Sequence, residues 1–384
     1  MLDAGEARRA FVETYGGEPR LFRAPGRVNL IGEHTDFNEG FVLPMAIEHS
    51  TLVAAREAPG RRVRVRSLNL DEAAEFDLDR PGEPRRGIWL DYVEGVARAL
   101  EDGGTRLRGA DLVVHSDVPA GAGLSSSAAL EVSVGLALSS VSGSRVGRVA
   151  LALAGQRAEH TYVGTMCGIM DQFVAALGRE GHALLIDCRT LEATPIPVDT
   201  AEALVVVCDS RVKHELASSE YNARREECER GVELLAAALP GVRALRDVSA
   251  EEFERHEHLL PPTVRRRCRH VVTENARTLA AAEALRRGGG AEFGRLMYES
   301  HRSLRDDFEV SCRELDVLVE AASRVEGVLG SRMTGGGFGG STVSLIRRER
   351  LDDFQNTVGA LYHQATRLVP AFHVSQPQAG AHEL

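Results

Sequence analysis

Apolar residues along this chain follow two periodicities. Short unbroken or alternating apolar runs mark strands: Leu52-Val53-Ala54-Ala55, Val63-Arg64-Val65-Arg66 and Leu112-Val113-Val114 early in the chain, then Ala183-Leu184-Leu185-Ile186 and Leu204-Val205-Val206-Val207-Cys208. The last strand candidate is Thr342-Val343-Ser344-Leu345-Ile346. The other period is helical. Residues 91–101 carry Tyr92, Val93, Val96, Ala97 and Leu100 on one stripe, which suits a helix lying on a sheet. Residues 218–238, 264–287 and 312–325 also read as helices, and Gly288-Gly289-Gly290 stops the second of them. Strands mixed with long helical blocks predict an α+β protein. At 384 residues the chain exceeds what one core usually supports, so two domains are expected, 1–208 and 209–384, with the last strand open to exchange between them.

Composition narrows the classes. With 43% hydrophobic and 27% charged residues this is an ordinary globular chain, and a net charge of -10 disfavours nucleic acid as a partner. The basic run Arg265-Arg266-Arg267-Cys268-Arg269 falls inside a helical pattern and reads as a solvated helix face. Six cysteines, Cys167, Cys188, Cys208, Cys228, Cys268 and Cys312, are spread without a C-x-x-C pair, against a zinc cluster or a disulfide framework. The first residues lack the apolar core of a secretory signal and no stretch is long enough to span a bilayer, so no membrane partner and a cytoplasmic location are expected.

Two glycine-rich segments and one polar cluster carry the chemistry. Gly121-Ala122-Gly123-Leu124-Ser125-Ser126-Ser127 lies between a strand ending at His115 and a helix starting near Ala128. In that context glycines let an anion approach the backbone, and the free N–H groups of the helix start favour negative charge. It is not a Walker loop, because no G-K-[ST] follows. A tight turn with a serine cap is the alternative. Thr334-Gly335-Gly336-Gly337-Phe338-Gly339-Gly340 precedes the final strand candidate, where so many glycines imply either a close approach to the backbone or a flexible hairpin. Near the N-terminus, residues 23–38 pack Arg27, Asn29, Glu33, His34, Asp36 and Asn38 around an apolar strand-like Val28-Asn29-Leu30-Ile31. Such alternation of donors and acceptors suits a ligand with many hydroxyls, a sugar, better than a metal.

Three of these segments, in the same order, resemble those of the galactokinase family, within the superfamily that also holds homoserine, mevalonate and phosphomevalonate kinases. Gly26-Arg27-Val28-Asn29-Leu30-Ile31-Gly32-Glu33-His34-Thr35-Asp36 is similar to the galactokinase signature, residues 121–129 to the phosphate loop, and residues 334–340 to the C-terminal glycine motif. Cys167-Gly168-Ile169-Met170-Asp171-Gln172 and Ser218-Ser219-Glu220-Tyr221-Asn222 agree as well. The resemblance implies a two-domain sugar-kinase fold, an N-terminal mixed sheet with helices and a C-terminal α/β-layer domain, with the active site in the cleft between them. The implied reaction is phosphorylation of the C1 hydroxyl of α-D-galactose by ATP with Mg²⁺, the first committed step of galactose use, by a monomer. Asp171 would be the catalytic base and Arg27 its partner; an arginine favours the ionised aspartate that can accept a hydroxyl proton. Glu33, His34, Asp36, Gly168, Asp171 and Tyr221 would bind the sugar. Gly121, Ala122, Gly123, Leu124, Ser125, Ser126, Ser127 and Trp89 would bind ATP, and Ser127 and Glu159 would hold Mg²⁺. Phe37 stands where the family often has tyrosine, and Lys213, the only lysine in the chain, where some relatives have arginine. A kinase for N-acetylgalactosamine or arabinose, and a galactose and ATP sensor without turnover, are the alternatives.

Overall fold

The computed structural model describes residues 2–199, 201–212 and 217–384; Lys213 lies outside them. Its first sheet has six strands in the order His382–Glu383, Arg20–Asn29, Pro44–Glu57, Ala110–Ser116, Arg62–Ser67 and Glu72–Asp77. The helices Leu90–Asp102 and Ser126–Val141 cover one face, burying Val96, Leu100, Val134 and Leu138 against Val53, Val65 and Leu112. All six strand expectations drawn from apolar runs, 52–55, 63–66, 112–114, 183–186, 204–208 and 342–346, fall inside observed strands. The strand read at residues 28–31 does not: pairing runs from Arg20 to Asn29 and stops before Leu30. Its apolar alternation is masked by Arg23, Pro25, Gly26 and Arg27.

That irregular stretch has a use. The register between Arg20–Asn29 and Pro44–Glu57 slips between Pro25 and Arg27. A side chain at Gly26 would meet the Leu124 carbonyl at 2.7 Å, so only glycine lets the serine-glycine loop close on this strand. The bulge aims Arg27 into the cleft, and the Arg27 N–H bonds the Leu124 carbonyl at 3.1 Å.

A second sheet runs Val328–Thr334, Ser341–Arg347, Ala203–Asp209 and Ala371–Ser375. The strand Ala203–Asp209, which a division after Cys208 would cut, pairs along its whole length with Ser341–Arg347. Two strands follow the last one read from the sequence, Ala371–Ser375 and His382–Glu383, the latter returning to the edge of the first sheet. Both carry too few apolar residues to stand out. The expected helices appear as Leu90–Asp102, Ala217–Ala236, Pro262–Arg286 and Arg313–Ser323. One cluster joins the two halves: Val28, Leu30 and Ile31 pack with Val205, Val343, Phe293 and Met297.

The basic run in Pro262–Arg286 is not simply a solvated face. Arg267 is buried, donating to Glu227 at 2.7 Å, to the Asp307 carbonyl at 2.6 Å and to Glu309 at 2.6 Å, because it faces two neighbouring segments rather than water. All six cysteines are free. Among the described residues, no helix is long and apolar enough to cross a membrane.

Candidate active site

At the centre of the cleft Arg27 and Asp171 form a two-pronged ion pair, Nε to Oδ1 at 2.8 Å and Nη2 to Oδ2 at 2.7 Å. The remaining Arg27 nitrogen donates to the Gly123 carbonyl at 2.6 Å, which ties the pair to the serine-glycine loop. Asp171 is in the first turn of the helix Met170–Leu177, where the unpaired N–H groups and the dipole favour a negative charge. Arg27 is 4% exposed, and the Asp171 side chain keeps 27% of its surface open to the cleft. The Ser125 hydroxyl also donates to Asp171 Oδ2, a contact that sequence reasoning missed by placing Ser125 only among phosphate ligands.

The loop holding Gly121 to Ser127 has left-handed backbone at Gly121 (φ 74°), Gly123 (φ 75°) and Ser125 (φ 59°) before the helix Ser126–Val141 begins. Ala122 and Leu124 are buried beneath it. What comes close to the C-terminal glycine cluster is this same loop: a side chain at Gly335 would meet the Gly123 carbonyl at 3.1 Å, and one at Gly340 the Ala122 carbonyl at 3.3 Å. Ser341 Oγ donates to the Ala122 carbonyl at 2.7 Å. The two glycine motifs therefore pack backbone to backbone.

Beside the loop a cavity of about 230 Å³ is lined by Leu70, Trp89, Tyr92, Leu130, Ser126 and Ser127, among others. Trp89 is a half-buried wall of it, its Nε1 donating to Glu72 at 2.7 Å.

Glu159 is buried next to the Ser127 hydroxyl, and burial together with the charge of Asp171 pushes its carboxyl up to about 7. Behind it Glu131 is fully buried, one oxygen accepting from Gln172 at 3.0 Å and the other without a hydrogen-bond partner. Two buried carboxyls with so little compensating positive charge fit a divalent cation. Among the described residues no three His, Cys, Asp or Glu side chains converge on a metal position. A magnesium ion held by Ser127, Glu159, phosphate oxygens and water requires no such convergence.

On the other side of Asp171 lies the turn after Asn29. His34 has left-handed backbone (φ 63°) and is buried among Phe37, Tyr221 and Phe308, with ring centroids 5.9, 5.4 and 4.6 Å away. Neither ring nitrogen has a hydrogen-bond partner, and burial holds the imidazole far below its usual range, hence neutral. Asp36 opens the short helical turn Asp36–Asn38. A side chain on Gly168 would overlap the Asp36 carboxylate, so these two segments touch only because residue 168 has none. The Tyr221 hydroxyl lies beside the Gly168 backbone. Glu33 is different: its oxygens are taken by Asn29 Nδ2, Arg332 at 3.1 Å, the Thr334 hydroxyl at 3.2 Å and the Gly335 N–H at 2.5 Å. The single Thr334 proton is shared with the Asn29 carbonyl at 3.0 Å, so three donors hold the carboxylate firmly. The structure thus brings His34, Asp36, Gly168, Tyr221 and Asp171 around one space and puts Glu33 beneath it.

Crowding of Asp36 against Asp171 and Glu33 has a measurable cost. Burial first, then the Asp171 charge, raise the Asp36 carboxyl from 3.8 to about 6. A raised carboxylate pKa means the folded state binds the proton more tightly, so stability falls as pH rises from about 4 to about 6 and is level above. Asp36→Asn removes that penalty. Thermal unfolding of the unliganded protein should show the variant gaining on the wild type across that window; a difference that is flat with pH contradicts the assignment.

Family models now place the whole arrangement. The GHMP kinases N terminal domain matches residues 91–179 and the GHMP kinases C terminal domain residues 281–364. The mevalonate kinase of Methanococcus jannaschii shares the fold at TM-score 0.67 and 17% identity, over 94% of this chain and 99% of that one. The molecule is a two-domain α+β kinase of the GHMP superfamily. The galactokinase galactose-binding signature matches residues 9–57. A galactokinase of Chloroflexus aurantiacus is 55% identical over 92% of this chain and 91% of its own. One from Roseiflexus sp. is 49% identical over 99% of this chain and 97% of its own. The crystal structure of Lactococcus lactis galactokinase complexed with galactose matches at TM-score 0.96 and 36% identity, covering 99% of both chains. This chain belongs to the galactokinase family.

Proposed function

We propose that the protein transfers the γ-phosphoryl group of ATP to the C1 hydroxyl of α-D-galactose. The observation that carries this is the Arg27–Asp171 pair, set between a polar turn with unfilled hydrogen-bonding groups and a glycine loop at a helix start. His34, Asp36, Gly168 and Tyr221 would hold the sugar hydroxyls. A buried site of this kind rejects sugars whose hydroxyls leave its groups unpaired.

Asp171 would accept the C1 proton as the oxygen attacks, Ser125 and Arg27 holding its carboxylate in one orientation. Arg27 puts positive charge near the reacting oxygen. The backbone from Gly121 to Ser127 would cradle the phosphates, while the cavity beside Trp89 takes the nucleoside. Ser127 and Glu159 would hold Mg²⁺, which neutralises phosphate charge when bound. Glu33 would brace the turn from beneath, in addition to the sugar contact its place in the signature implies. ATP-dependent turnover of galactose by the purified protein tests the reading. A sensor without turnover is disfavoured, because binding alone does not call for an oriented base at the cleft centre.

A further inference from the structure

Arg332 is the largest fully buried side chain of the described residues, and nothing in the proposed chemistry uses it. It sits on the strand Val328–Thr334 of the second sheet, yet its guanidinium reaches the turn of the first half. One nitrogen donates to the Asn29 carbonyl at 3.2 Å and to Glu33 at 3.1 Å, while Nε donates to Ser300 at 3.2 Å. On its far side Glu274 lies 4.0 Å away, accepts from Ser300 and from the Gly32 N–H at 3.0 Å, and is paired with Arg277 at 2.7 Å. Glu33, Arg332, Glu274 and Arg277 thus form a buried chain of alternating charge that grips the turn at Asn29, Gly32 and Glu33. The same strand ends at Thr334, and the next residue, Gly335, is packed on Gly123 of the glycine loop.

We propose that Arg332 is a positioning residue: acting through Glu33 and the Asn29 carbonyl, it fixes the sugar turn at a set distance from the phosphate loop. The inference rests on the reading of that turn as the sugar site. A buried ion chain is weak support for stability, since apolar side chains of like volume serve at least as well. What a planar fork bonded to a carbonyl, a carboxylate and a hydroxyl does supply is orientation. The strand carrying it touches the turn through Arg332 and Thr334 and leads directly into Gly335 against the loop, so a shift of Arg332 moves the nucleophile relative to the phosphates.

The test is steady-state kinetics of Arg332→Met, Glu33→Gln and the double variant, with wild type in parallel. Misplacing a substrate by about 1 Å costs on the order of 10²-fold, so kcat/KM for galactose should fall by about that much in Arg332→Met while the KM for ATP holds. If Arg332 acts through Glu33, the double variant loses less than the product of the single losses. An Arg332→Met protein with wild-type galactose kinetics overturns the inference. So does one in which both substrates suffer alike, as a merely structural residue would give. Should Arg332→Met fail to fold, Ser300→Ala decides, because it loosens the guanidinium without removing a charge. A several-fold rise in galactose KM alone supports the role, and an unchanged KM removes it. Wild type without galactose turnover would instead refute the sugar-site reading itself.

Discussion

Asp171→Asn should lower kcat for galactose by about 10²- to 10⁴-fold, the usual contribution of a positioned general base. The amide keeps the size of the carboxylate and can still accept from Arg27 through its oxygen. It cannot take the hydroxyl proton, and its NH₂ group would face a donor from either Arg27 or Ser125, which now reach both oxygens. Galactose affinity should change far less than kcat, because the loss is in the transition state. Steady-state and single-turnover kinetics on a variant with wild-type unfolding temperature decide the matter, and near-full kcat would take Asp171 out of the mechanism.

Gly168→Ala should damage the other half of the site while leaving phosphate binding alone. The backbone at Gly168 is not left-handed, so alanine brings no conformational strain there, and the three nearest atoms its methyl would meet all belong to Asp36. Asp36 or the loop must move away, and displacement of that order is worth about 10²-fold in kcat/KM for the sugar. Calorimetric titration with galactose and with ADP separates the two effects: galactose binding falls and ADP binding persists. Equal loss of both would point to a general collapse of the cleft, and retained galactose affinity would show that the Asp36–Gly168 contact is not part of the sugar site.

Two of the residues that matter most were legible for a simple reason. Arg27 and Asp36 sit in a segment whose polarity breaks the local apolar period, so they announce chemistry before any fold is known, whereas Gly168 and Asp171 are reached only through the resemblance of residues 167–172 to the family. Glycine clusters beside strands are equally visible, although the partner of the second cluster was not, because the approach of Gly335 to Gly123 joins residues that are far apart in sequence. The same limit hid Arg332. A charged residue in a short strand reads as a surface position, and Arg332 is buried by its contacts with Asn29, Glu33 and Ser300, which lie far away in sequence. Glu33 was named as a sugar ligand from its place in the signature; its further bonds to Arg332, Thr334 and Gly335 depend on two domains meeting and were not legible. Arg20–Asn29 escaped as a full strand because the bulge that aims Arg27 also interrupts its alternation.

The central claim is the reaction itself, and its most direct test is ADP release by the purified protein with Mg²⁺ and ATP against galactose, glucose, N-acetylgalactosamine, arabinose, mevalonate and homoserine. Strong turnover with galactose, giving a sugar phosphorylated at C1 and lost in Asp171→Asn, is the result this account predicts. Turnover of another alcohol in preference to galactose, or binding of galactose and ATP with no ADP formed, would contradict it.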